Sequence, residues 1–145
     1  MSGPDSVQPA AHEATGATYW AARKPLAIKL RKQSRVLEVA FDDGQRFELP
    51  FEYLRVYSPS AEVRGHGPGQ ETLQLGKHEV GITAADPVGN YAVRLVFDDG
   101  HDTGLYTWGY LYELGATREE KWQHYLGRLA KLGLPYPTPV PKRPG

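Results

Sequence analysis

Apolar and polar residues alternate along this chain in short runs separated by turn residues. Leu26–Leu30 alternates Leu, Ile and Leu with Ala and Lys, the period-two pattern of a strand. Val36–Phe41 follows with Leu37, Val39 and Phe41 on one face. Next come Asp42-Asp43-Gly44 and a returning run, Arg46–Leu49. Asp-Gly between alternating runs predicts a hairpin, because both residues tolerate positive φ. Pro50 suits the first turn of a helix, where its missing N–H costs nothing. Phe51, Leu54 and Tyr53 give that helix a buried side.

The order then recurs. Tyr91–Phe97 is a strand with Tyr91, Val93, Leu95 and Phe97 on one face, Asp98-Asp99-Gly100 is the same turn, and Thr103–Tyr106 returns. Thr107 can cap a helix carrying Trp108, Leu111 and Leu114. Phe-Asp-Asp-Gly thus occurs at 41–44 and 97–100. Each copy precedes an aromatic-Tyr-Leu helix, Phe51-Glu52-Tyr53-Leu54 and Trp108-Gly109-Tyr110-Leu111, the second with one extra residue before Tyr-Leu. Two strand–turn–strand–helix units are too few for a solenoid. They predict an α+β, two-layer domain in which an antiparallel or mixed sheet carries both short helices on one face.

Thr72–Leu75 and Glu79–Thr83 read as two further strands. From Val56 to Gly69 the chain reads as a long loop holding Ser-Pro-Ser and Gly65-His66-Gly67-Pro68-Gly69. Long loops of compact domains often carry function. Gly115 reads as a helix stop and Thr117-Arg118-Glu119-Glu120 as a capping box. These open a C-terminal amphipathic helix with a stripe of Trp122, Tyr125, Leu126, Leu129 and Leu132, ended by Gly133 and Pro135. The expected organisation is a flexible N-terminal segment (1–24), a domain (25–115), the C-terminal helix (116–133) and a Pro-rich tail (134–145).

Composition narrows the function classes. The 145 residues suit one domain. Lys plus Arg (17) equals Asp plus Glu (17), so the formal charge is zero. No global basic field gathers nucleic acid, and no nucleic-acid partner is expected. There is no cysteine, which removes disulfides, thiolate metal sites and thiol nucleophiles. Neither a signal-peptide pattern nor an apolar run of the ~18 residues that a membrane span needs is present. The cytoplasm is the expected compartment and a membrane partner is not expected.

The chemistry-bearing residues are scattered. Of five histidines none forms His-x-His or His-Glu-x-x-His, leaving His66, His78 and His101 as weak metal candidates; His101, just after a turn, reads as exposed. Asp42-Asp43 and Asp98-Asp99 sit at hairpin tips, where Asp serves turn geometry rather than catalysis. Gly65-x-Gly67-x-Gly69 lacks the Lys-Ser/Thr of a phosphate loop. No Gly-x-Ser-x-Gly elbow and no Ser–His–Asp order stand out. Arg55, Tyr57 and Arg64 form a local recognition patch beside the long loop.

The stretch Leu54-Arg55-Val56-Tyr57-Ser58-Pro59-Ser60-Ala61-Glu62-Val63-Arg64-Gly65-His66-Gly67-Pro68-Gly69-Gln70, with Phe97-Asp98-Asp99-Gly100-His101 and Tyr106-Thr107-Trp108-Gly109-Tyr110-Leu111, resembles the γ-butyrobetaine hydroxylase-like N-terminal domain family. The likeness covers about residues 26–115, plus the C-terminal helix typical of its small stand-alone bacterial members. It implies an α+β domain that also occurs ahead of the catalytic domain of γ-butyrobetaine and trimethyllysine hydroxylases, and attached to Mrp-type iron–sulfur carriers. In the hydroxylases this domain holds a structural zinc through three cysteines and a histidine. Those positions fall here at about Ser58, Ser60, Val63 and His101, so only the histidine survives. The oxygenase barrel has no room in this chain. The expectation is therefore a non-catalytic cytoplasmic module, not an enzyme, without zinc or another built-in cofactor, iron being the metal to test. Its partner would be a protein from iron–sulfur or metallo-oxygenase systems, with homo-oligomers as a further option. The expected interaction surface is Arg55, Tyr57, Arg64, His66 and His101. A histidine-based iron or zinc protein is the alternative, and an enzyme of unknown type the third reading.

Overall fold

The computed structural model describes residues 24–65 and 71–139. The expectations placed on the N-terminal segment, on His66 and its glycines, and on the end of the tail lie outside the described residues. The described residues form two three-stranded antiparallel sheets. One is β1 (Pro25–Arg31), β2 (Val36–Phe41) and β3 (Arg46–Pro50). The other is β4 (Ile82–Val88), β5 (Ala92–Phe97) and β6 (Gly104–Thr107). Helix α1 (Phe51–Val56) follows β3, and α2 (Ala61–Arg64) follows α1. Helix α3 (Trp108–Ala116) follows β6 and runs into α4 (Arg118–Lys131). The fold is α+β, with the C-terminal helix present. The two units keep separate sheets rather than merging into one.

The repeat is visible in the hydrogen bonds. Phe41 N donates to Gln45 O (2.8 Å) and Phe97 N to His101 O (2.9 Å), closing three-residue loops rather than two-residue turns. Within these two loops only the glycines take the left-handed conformation, with φ of 89° at Gly44 and 92° at Gly100. This is the three-residue hairpin whose last position asks for glycine. In both sheets the first strand is irregular opposite the turn phenylalanine, between Pro25 and Ala27 and between Ile82 and Ala84. Thr107 caps α3 as predicted, its side chain accepting from Tyr110 N.

One core joins the units. Leu37, Val39 and Phe41 of β2 meet Val93, Leu95 and Phe97 of β5, with Leu54 from α1 and Leu111 and Leu114 from α3. Leu37, Val39, Leu49, Leu54, Leu95, Leu111 and Leu114 are fully buried. Each such side chain contributes about 1.5–3 kcal/mol relative to exposure. Tyrosines then tie off helix ends, whose last carbonyls have no partner within the helix. Tyr53 Oη donates to Leu114 O, Tyr106 Oη to Leu54 O and Tyr110 Oη to Tyr57 O, each at 2.6 Å.

Several local expectations are corrected. Thr72–Leu75 is not a strand, and the strand expected at Glu79–Thr83 begins only at Ile82 and runs to Val88; residues 71–81 are irregular. Segment 71–74 meets other side chains instead of a ladder: Tyr125 Oη donates to Gln74 O (2.6 Å) and Arg128 to Glu71 O (3.0 Å). Pro87 fits inside β4 because that strand is an edge. Gly115 does not stop a helix but lies within α3, where the Phe47 ring occupies the space of a Cβ. The capping box does not form. Thr117 ends α3 and starts α4 at once, and its hydroxyl donates to Glu113 O (2.7 Å), serving the helix behind it. Leu132 is exposed rather than part of the buried stripe. The beginning of the Pro-rich tail packs on the domain: Tyr136 Oη donates to Glu52 (2.6 Å) and its ring meets Trp122 edge-on.

Candidate functional site

The loop after α1 and the tip of the β5–β6 hairpin meet in a dense polar cluster. Ser58 Oγ lies 2.8 Å from His101 Nε2, and His101 Nδ1 lies 3.1 Å from Glu62 Oε1. A carboxylate only accepts, so Nδ1 carries the proton, and the Ser58 hydroxyl donates to Nε2 of a neutral ring. Burial, reinforced by the Arg55 charge, holds His101 below the usual histidine range against the pull of Glu62 and Asp99. His101 is 6% exposed, which corrects its expected exposure. The three-residue turn folds the ring back under the 58–62 segment.

This Ser–His–Glu order was invisible as a motif, since its members lie far apart in the chain. It has the connectivity of a nucleophile relay, but Ser58 is only 1% exposed. A Cβ on Gly104 would stand 2.6 Å from its Oγ, and that oxygen already accepts from Ser60 N (3.2 Å). The chain of bonds pins the loop to the hairpin.

The positions that the resemblance assigns to zinc come together here, yet their donors do not fit the metal. Ser60 Oγ pairs with Thr103 Oγ1 (2.7 Å) and accepts from Glu62 N (3.2 Å). Val63 is buried and offers no donor atom. Zinc needs charged or imidazole ligands in a closed tetrahedral set, and only His101 qualifies. Among the described residues no group of three or more His, Asp or Glu is placed to hold a metal ion. His78 stands apart, its buried Nδ1 lacking a hydrogen-bond partner.

Arg55 is also buried, not displayed. Its Nε donates to Asp99 Oδ2 (2.9 Å) and its Nη1 to Gln74 Oε1 (2.9 Å). Lys77 Nζ reaches the same Asp99 oxygen at 2.7 Å. Burial alone would raise the Asp99 carboxyl, but the Lys77 and His101 N–H bonds and the Arg55 charge bring it down to about 2. Arg55 and Asp99 thus clamp α1 to the hairpin tip.

Tyr57 and Arg64 face a different feature, an open groove of about 910 Å³. One wall is the 56–65 and 71–74 segments; the other is α3 and α4, through Tyr110, Lys121, His124, Tyr125 and Arg128. Arg64 is exposed and stacks over the Tyr110 ring, 4.9 Å from its centroid. Tyr57 Oη donates to Lys121 O (2.6 Å). Burial pushes Tyr57 and Tyr125 up to about 12, so both remain hydrogen-bond donors at neutral pH. The α4 wall was not part of the expected surface.

Comparison with known proteins agrees with this architecture. Residues 28–112 match the family described as gamma-butyrobetaine hydroxylase-like, N-terminal. A protein solved by solution NMR is 47% identical, with 83% of this chain and 94% of that one covered and a TM-score of 0.69. A second NMR structure is 48% identical over 86% of this chain and 92% of the other, also at 0.69. A crystal structure from Acidithiobacillus ferrooxidans, of a protein with unknown function in the DUF971 family, is 43% identical. It covers 64% of this chain and 93% of its own, with a TM-score of 0.55. Among curated proteins nothing matches.

Proposed function

Because the chain belongs to the γ-butyrobetaine hydroxylase-like N-terminal family, we propose that it is a non-catalytic binding module whose partner is a protein, seated in the groove between the 56–65 and 71–74 segments and helices α3 and α4. The observation that carries this reading is a division of labour. The residues that chemistry would require, Ser58 and His101, are sealed into the framework. The groove beside them is open, walled by tyrosine faces and by exposed charged side chains. Such a surface suits recognition: aromatic and arginine side chains are enriched where proteins dock. The family's domain associations make iron–sulfur carriers and metallo-oxygenases the setting, and the cytoplasm the compartment. No described helix is long and apolar enough to cross a membrane.

The test is site-specific crosslinking in native cells. A photo-reactive residue replaces His124, exposed on the groove, or Lys32, which does not line it. The expected result is covalent capture of an iron–sulfur carrier or an oxygenase from position 124 alone. Capture of nothing from position 124, or of the same proteins from both positions, refutes the reading.

A further inference from the structure

We infer that, whatever the groove receives, helix α4 and the segment behind it, residues 132–139, form a movable wall of it, latched shut by the hydrogen bond between Tyr136 and Glu52. The two helices that bound the groove are anchored very differently. Helix α3 buries Gly109, Leu111, Tyr112 and Leu114, the last three in the main core. Helix α4 has 14 residues but buries only Tyr125 and Leu129, which join Val56 in a small separate cluster. Of its apolar side chains, Trp122 alone packs against the main core. Its other ties are part-buried or exposed hydrogen bonds: Tyr57 Oη to Lys121 O (2.6 Å), Tyr125 Oη to Gln74 O (2.6 Å) and Arg128 to Glu71 O (3.0 Å). An element with few buried apolar contacts and solvent-accessible hydrogen bonds opens at less cost than the core. A pivot is present as well, because Thr117, at φ −114° and ψ 24°, alone separates α3 from α4.

Residues 132–139 supply the latch. Gly133, at φ 70°, reverses the chain at the end of α4. Its N–H and that of Leu134 return to Ala130 O and Leu129 O, both at 2.9 Å, a cap that joins the segment firmly to its own helix. Leu134 packs beside Val56, Tyr125 and Leu129. Two residues on, Tyr136 Oη donates to Glu52 Oε1 at 2.6 Å, and its ring stands edge-on to Trp122 at 5.6 Å. Glu52 belongs to the first turn of α1. The segment thus travels with α4 at one end and grips α1 at the other. Pro135, Pro137 and Pro139 have no N–H to add to that grip, the Thr138 hydroxyl turns back to Pro135 O (2.7 Å), and Tyr136 is 45% exposed. The small cluster carries release of the latch to the groove. Val56 and Leu73 from one wall and Tyr125 from the other meet in it, and all three line the groove.

The chain has no cysteine, so two introduced ones carry spin labels at chosen points of the full-length protein. One pair, Thr72→Cys/His124→Cys, spans the groove from wall to wall, and a second, Lys29→Cys/Thr83→Cys, spans the two sheets; all four positions are exposed. Pulsed dipolar spectroscopy measures both distances with the latch intact and with Tyr136→Ala or Glu52→Ala added. Expected is a longer population across the groove in both latch variants and no change across the sheets. Native-state hydrogen exchange gives a second reading. The amides of Leu126 and Leu129 in α4 should lose about tenfold in protection in Tyr136→Ala, the size set by a hydrogen bond to a charged acceptor. They should keep their protection in Val39→Ala, a core change that lowers it in β2 and β5. Distances that move in both pairs or in neither, α4 amides untouched by Tyr136→Ala, or α4 amides that follow the core in Val39→Ala overturn the movable wall. Such a result leaves the binding module standing, since crosslinking at position 124 requires no motion of α4.

Discussion

Replacing Gly115 by alanine sets two effects against each other. Inside a helix, alanine is favoured over glycine by up to about 1 kcal/mol; Gly115 lies in the last turn of α3, so about 0.5 kcal/mol is a fair gain. Against it stands the Phe47 ring. A Cβ built on Gly115 falls 2.3 Å from Phe47 Cγ and 2.5 and 2.6 Å from its two Cδ atoms. Carbon atoms prefer about 3.5–4.0 Å, so the ring must retreat by about 1 Å. It is held edge-on by Tyr112 at 5.3 Å and Phe41 at 6.0 Å, so retreat disturbs two further aromatic contacts. Overpacking of this kind costs about 1–3 kcal/mol. The net expectation is destabilisation by about 0.5–2.5 kcal/mol, read from urea unfolding with an unchanged m-value. In a Phe47→Ala background the clash is gone, so the same Gly115→Ala change should turn stabilising by about 0.5 kcal/mol. Neighbours in contact couple by about 0.5–3 kcal/mol, the size of this sign reversal. A stabilising Gly115→Ala in the wild-type chain, or equal effects in both backgrounds, would refute the reasoning.

Ser58→Ala removes the donor to buried His101 Nε2 and the acceptor of Ser60 N–H; thermal unfolding should show a loss of about 1–3 kcal/mol. Tyr53→Phe strips the Leu114 carbonyl of its phenol donor and should cost about 1 kcal/mol in the same assay. His101 has a folded pKa below the ordinary histidine value of 6.5, so the unfolded chain takes the proton first as pH falls. Its contribution is complete above about pH 6.5 and declines below it; urea midpoints at pH 7.5 and 5.5 should differ less in His101→Gln than in wild type, and an identical difference counts against a buried neutral ring. Asp99, held at about 2 against 3.8, contributes stability above pH 3.8 that is lost as pH falls towards 2. Asp99→Asn should abolish that acid limb, and an unaltered limb in the variant would contradict the Arg55–Asp99 clamp.

The repeat was legible because its determinants are local. Phe-Asp-Asp-Gly fixes a turn, alternation fixes the strand faces, and Thr107 caps its own helix. The failures share a cause in tertiary partners. Thr72–Leu75 has strand-like residues but spends its backbone groups elsewhere, Thr72 N on Val63 O and Gln74 O on the Tyr125 hydroxyl. Thr117 has the right spacing for a capping box, yet the preceding helix ends on it and claims its hydroxyl. Gly115 looks like a stop because the ring that explains it comes from β3. The Ser58–His101–Glu62 pin joins residues 43 and 39 positions apart, beyond the reach of any local pattern. The resemblance had aligned Ser58 with His101, and their contact is what the structure adds. For Arg64 and Tyr57 the sequence marked the neighbourhood, but the opposing wall required knowing where α4 packs.

The pairings across the two units explain where the groove comes from. Asp43 and Asp99 are both the third residue of Phe-Asp-Asp-Gly, and each reaches into the other unit. Asp99 takes Arg55 of α1, and Asp43 takes Tyr112 of α3. Arg55 and Tyr112 are themselves matching residues, each directly after Tyr-Leu. The same exchange holds for Tyr53 and Tyr110, the tyrosines of those Tyr-Leu pairs: Tyr53 donates to Leu114 O, and Tyr110 donates to Tyr57 O. Leu114 and Tyr57 each stand three residues after the matched leucine. The units therefore clasp one another about an approximate two-fold relation, and that clasp accounts for the buried chemistry as framework. Symmetry ends at the clasp. After α1 the chain leaves the repeat through segment 57–65, with its short helix α2, and segment 71–81; after α3 it continues into α4. The groove is bounded by these two unmatched continuations, with Arg64 from one and Arg128 from the other. Both continuations also pack on the shared core, through Tyr57 and Val80 on one side and Trp122 on the other, so the open trough between them is held by the scaffold and is where a specific role for this chain has room to reside.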